Sequence, residues 1–155
     1  MNRFGLFQIG DLGFAISLQQ IQKILQNSKS YTLPRLPGGV FAVLVDADQL
    51  IPLLDLIQIV GGGTQMEQTT QSYQVLVESE YGTVALPADM TGRIVDEQKG
   101  ELSTIAPQKI DMGSVGKFIY QNKEYSVLDI NYLAIEMTQG VFANPTDTGG
   151  ARRHQ

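Results

Sequence analysis

One feature constrains this chain more than any other: it echoes itself. The stretch "LIPLLDLIQIV", Leu50 to Val60, is an apolar run interrupted by Pro52, Asp55 and Gln58, and "YSVLDINYL", Tyr125 to Leu133, repeats its apolar, aspartate, apolar order around Asp129. The echo extends backward. Ile16, Ile21 and Ile24 follow Gly13 at nearly the spacing at which Ala85, Met90 and Ile94 follow Gly82. A chain carrying two copies of one pattern is expected to build two similar units.

Strand patterns dominate both copies. "FGLFQIG" then "GFAISL", "YQVLVES" then "GTVALPA", and "GKFIYQ" then "EYSVLDI" are short apolar runs joined across polar or glycine turns, which is the signature of hairpins. Gly13 and Gly82 stand just before the return strands, where a positive φ is easiest to supply. Each copy then reads hairpin, short turn or helix, loop, hairpin, aspartate. The chain has 155 residues and is 43% apolar, enough to bury a sizeable core without metal or disulfide, and two halves of this size suit a pair of small barrels.

The repeated aspartates have a structural explanation. Asp55 precedes Leu56, Ile59 and Val60, and Asp129 precedes Ile130, Leu133 and Ala134, in both cases apolar residues at helical spacing after a strand. An aspartate at such a junction accepts bonds from the first free N–H groups of a short helix, so Asp55 and Asp129 are expected to be caps rather than functional carboxylates. Pro52 cannot donate to a ladder and is expected at a strand edge or bulge. "GGGTQMEQTTQS", residues 61–72, reads as a flexible connector, and residues 139–155 as a disordered tail following a domain of residues 1–138.

Chemistry is scarce. There is no cysteine, and the only histidine, His154, lies in the tail, so thiol catalysis and a Ser-His-Asp arrangement are not expected. "DADQ", Asp46 to Gln49, alternates two carboxylates but lacks the glycine and distal glutamate of a calcium loop, and reads as a solvated hairpin tip. No Gly-Lys-Ser or Gly-Lys-Thr follows the glycines at 61–63, and the acidic "DEQKGE" from Asp96 reads as a charged turn. The expectation is no catalytic residue, no metal and no cofactor. Eleven basic against sixteen acidic residues disfavour a nucleic-acid surface. No apolar run approaches the roughly 18 residues of a membrane span, and the start lacks a signal-peptide core, so a soluble, cytoplasmic chain without membrane insertion is expected.

Taken together, "FQIGDLGFAISLQQIQKIL", "LPRLPGGVFAVLVDADQLIPLLDL", "VALPADMTGRIV" and "VLDINYL" resemble the CheW-like domain, the adaptor fold of bacterial chemosensory arrays. The most specific pieces are Pro52 to Leu56 and Asp89 ahead of Arg93, Ile94 and Val95. The resemblance implies a mainly β fold of two small five-stranded SH3-like barrels on a shared core, with short helices. It implies a non-catalytic adaptor that couples a chemoreceptor's cytoplasmic tip to the regulatory domain of a histidine kinase.

The resemblance also implies where partners bind, and this chain departs from the family there. Family-matched positions are Ile21, Lys23, Ala42, Ala47 and Asp48. The family usually carries a glutamate where Lys23 stands, glycine at Ala42, and arginine-glycine at Ala47 and Asp48. Those changes leave the apolar pattern intact and alter surface charge. They support a second possibility, a divergent CheW-like domain that no longer couples to a kinase and binds another regulator or a small ligand.

Overall fold

The computed structural model describes residues 2–60, 69–104 and 113–138. Residues 61–68 of the expected connector and the whole expected tail, 139–155, lie outside them. The first half runs β1 (Arg3–Ile9), β2 (Leu12–Ser17), β3 (Ile21–Gln26), β4 (Ser30–Tyr31), β5 (Val40–Asp46), β6 (Gln49–Leu54) and α1 (Leu56–Val60). The second repeats that order as β7 (Tyr73–Ser79), β8 (Gly82–Ala88), β9 (Met90–Asp96), β10 (Glu101–Thr104), β11 (Ser114–Tyr120), β12 (Lys123–Leu128) and α2 (Ile130–Thr138).

The halves do not form one sheet each. Sheet A has the order β10-β11-β12-β2-β1-β9 and sheet B the order β3-β7-β8-β6-β5-β4. The hairpin β1-β2 therefore sits among the later strands of the second half, and β7-β8 among those of the first. Antiparallel ladders β1–β9 and β3–β7 and parallel ladders β12–β2 and β6–β8 stitch the exchange together. Each sheet has six strands where five were expected, and each remains open at its ends in hydrogen-bonding terms.

Alternation along the exchanged hairpins explains the arrangement. Phe4, Leu6 and Ala15 point into a cluster with Val95, Phe118 and Val127 inside sheet A. Phe7, Ile9, Phe14 and Ile16, on the other face, enter the central core. In β7-β8, Leu76 and Ala85 join Ala42, Leu44, Ile51 and Leu53 inside sheet B, while Val75, Val77, Val84 and Leu86 turn to the same central core. Strands buried on both faces read as near-continuous apolar runs. The central core is closed by Leu56 and Ile57 of α1 and by Ile130, Leu133 and Met137 of α2.

Three local expectations need correcting. The segment expected as a short turn or helix is mostly a strand in both copies, preceded in the first by a single 3-10 turn at Leu18–Gln20. Bulges, between Ile21 and Lys23 in β3 and opposite the Gly5–Phe7 step in β9, break the two-residue alternation that would have marked a strand. Gly13 is not the turn residue either: the turn is Gly10-Asp11, with φ 56° at Gly10. Gly13 lies inside β2, where a Cβ would stand 2.8 Å from the Tyr125 ring and 3.0 Å from the Glu124 carbonyl of β12. It is needed for close approach, whereas Gly82, with φ 118°, does open its strand. Pro52 is buried in an interior strand rather than at an edge. The β6–β8 ladder is confined to Leu53↔Ala85, so the missing N–H of Pro52 falls outside it.

Candidate functional site

The family-matched positions gather around the β5-β6 hairpin of sheet B. Its strands pair from Val40↔Leu54 to Asp46↔Gln49, leaving Ala47 and Asp48 as a two-residue turn. Both have positive φ, 50° and 64°, the primed turn whose twist matches a tight hairpin. Neither is glycine, so the turn holds a conformation that costs an L-residue about 1–2 kcal/mol.

Beside the tip, Lys23 of β3 reaches across to β5. Its Nζ lies 2.9 Å from the Asp46 carboxylate, whose side chain keeps 22% of its exposure. The pair follows from alternation: Leu25 and Leu44 face the interior of sheet B, and Lys23 and Asp46 are the next residues on those faces. Curling of the sheet brings its β3 edge to β5, and the ion pair spans the mouth thus formed. Outside the mouth, the cross-strand neighbours Val45 and Leu50 are exposed by 53% and 58%.

The structure thus brings Lys23, Ala47 and Asp48 together and separates the other candidates from them. Ile21 is half-buried and packs on the central core. Ala42, 2% exposed, lies inside sheet B beside a bulge. Asp55 and Asp129 accept 3.1 Å bonds at Oδ1 from the N–H groups of Gln58 and Tyr132, three residues on, at the starts of α1 and α2. Their own N–H groups donate to the carbonyls of Gly39 and Gly113, one more feature shared by the copies.

Asp89 has a larger role than its motif suggested. Its carboxylate accepts from Gly10 N–H at 2.7 Å, from Gln71 N–H at 2.8 Å and from the Thr70 hydroxyl at 3.1 Å, and its own N–H donates to Gln8. It ties the β1-β2 turn of sheet A to the segment that enters sheet B.

Sequence reasoning missed the corresponding mouth of sheet A. Gln121 and Asn122, with φ 51° and 63°, form the turn equivalent to Ala47-Asp48. Tyr120 therefore matches Asp46, and Lys123 matches Gln49. Ile24 pairs with Val75 and Ile94 with Gly5, the third residues of β7 and β1, so Lys23 matches Arg93 one residue before. Arg93 Nη1 donates to the Tyr120 hydroxyl at 3.2 Å. Laying the two copies over each other was the signal that could have found this pair.

Among the described residues no three His, Cys, Asp or Glu side chains come together to hold a metal, and no helix is long and apolar enough to cross a membrane. The protein-family model of the CheW-like domain matches residues 3–135. Among solved structures, the chain is similar to the crystal structure of scaffolding protein TtCheW from Thermoanaerobacter tengcongensis, with TM-score 0.76 and 16% identity over 92% of this chain and 99% of that one. No curated protein sequence matches it.

Proposed function

Because the chain belongs to the CheW-like domain family, we propose that it is a non-catalytic scaffold of bacterial chemosensory signalling, working in the cytoplasm. Its task on this reading is to couple the cytoplasmic tip of a chemoreceptor to the regulatory domain of a histidine kinase. The observation that supports this best is the β5-β6 tip. Val45 and Leu50 offer apolar contact area beside a two-residue turn, and the Lys23–Asp46 pair holds the neighbouring strand against it. A surface whose strands are already held in place loses little entropy on association.

The same tip bears on partner choice. Ala47 supplies no guanidinium, Asp48 adds an exposed carboxylate, and Lys23 is engaged by Asp46 rather than offered to a partner. A regulator presenting a basic side chain to the tip fits that charge better than one presenting an acid, which keeps the second reading of an altered partner in play.

Calorimetric titration of the full chain with the kinase regulatory domain and the receptor tip from the same organism tests the proposal. Binding that weakens when Val45 and Leu50 are both replaced by serine supports it. Binding to neither partner removes the coupling role and leaves the altered-partner reading.

A further inference from the structure

The two mouths are built alike and charged differently. In sheet B the cation from the third strand, Lys23, is neutralised by a carboxylate at the last inward position of β5. In sheet A the equivalent cation, Arg93, faces a neutral phenol, Tyr120. Lys123, on the β12 side of the same opening, donates to the Gln8 side-chain carbonyl and lies 5.6 Å from the centre of the Tyr125 ring. Among the described residues neither Arg93 nor Lys123 has a carboxylate within 4 Å, while the nearby Asp96 and Glu124 are engaged by Arg3 and Lys117. Between them lies a cavity of about 250 Å³ whose lining includes Gln8, Met90, Arg93, Tyr120, Lys123 and Tyr125 and, among the described residues, no acidic one. In a chain of net charge −5 this is a local reversal of sign.

We propose that this mouth is a binding site for a carboxylate attached to a short apolar stem. Sheet B is the internal template, because there a carboxylate meets the equivalent cation directly. In sheet A no described residue supplies that carboxylate, and the guanidinium fork, the ammonium and the Tyr120 hydroxyl are left to receive one from a ligand. Met90 and the Tyr125 ring take the stem. The cavity is too small for a nucleotide-sized ligand and large enough for a small organic acid or one acidic side chain. The inference does not depend on kinase coupling.

Two probes distinguish the sources of the carboxylate: free glutarate, and a terminally blocked peptide carrying one glutamate. Each is titrated into the full chain and followed by amide chemical shifts of β9 and β12. Saturable shifts with glutarate identify a small-acid site, and saturation with the peptide alone identifies a side-chain site. In either case Arg93→Gln, at the surface, and Lys123→Gln, half-buried, should weaken binding about tenfold or more, and Lys23→Gln should not change it. Tyr120→Asp, which rebuilds the sheet B arrangement, should abolish binding. Absence of saturation with both probes, or equal binding by wild type and Arg93→Gln, overturns the proposal.

Discussion

Asp89 accepts a 2.7 Å hydrogen bond from the backbone N–H of Gly10, joining the β8-β9 junction to a turn far earlier in the chain. Its other oxygen takes the Gln71 N–H. Asp89→Ala removes the acceptor from both and should lower stability by about 2–4 kcal/mol. Asp89→Asn should recover only part, since one edge of an amide is a donor. Urea unfolding of the two variants is the measurement, and wild-type midpoints would show that water replaces the carboxylate.

The matching bonds at Asp55 and Asp129 predict matching effects. Alanine at either position should lower stability by about 0.5–2 kcal/mol through loss of the helix cap, without changing affinity for a partner. Denaturation midpoints that stay in place while binding disappears would put these aspartates in a binding surface.

At the tip of β5-β6, Asp48 has φ 64°. Asp48→Gly removes a left-handed Cβ and should raise stability by about 1 kcal/mol, or about 2–4 °C in melting temperature. Calorimetry against wild type checks it, and a fall would mean that the Asp48 side chain stabilises its own turn.

Ala47→Arg together with Asp48→Gly should strengthen binding to a histidine kinase regulatory domain by about 1–3 kcal/mol, the scale of a charge-assisted contact. Titration calorimetry on both proteins is the test. Unchanged or weaker binding in the double variant would place the contact surface elsewhere.

The exchange of hairpins predicts that the halves cannot stand alone. A fragment ending at Val60 carries β3 and β6 without β7-β8, the strands that lie between them in sheet B. Far-UV and near-UV circular dichroism should show it unfolded, and mixing it with the remainder of the chain should restore the native spectrum. A cooperatively folded fragment would mean that β1-β2 can take the place of β7-β8 within its own half.

Much of this molecule was legible in its residues. The duplication, the hairpins β1-β2, β7-β8 and β11-β12, and the aspartates before α1 and α2 rest on contacts between residues close in sequence, where pattern and turn chemistry decide the outcome. β3 and β9 were not legible, because a bulge in each disturbs the alternation. Lys23 was singled out as a surface residue, yet its place against Asp46 depends on the curl that brings β3 to β5, and Arg93 against Tyr120 depends on the same curl in sheet A. The exchange itself lay beyond any local pattern. Ala15 and Ala85 occupy the same place in their hairpins and pair with Val127 and Leu53, which occupy the same place in theirs, so either hairpin's alternation fits either sheet. Only the long-range ladders and the central core, which needs both hairpins back to back to bury their second apolar faces, decided which one each sheet received.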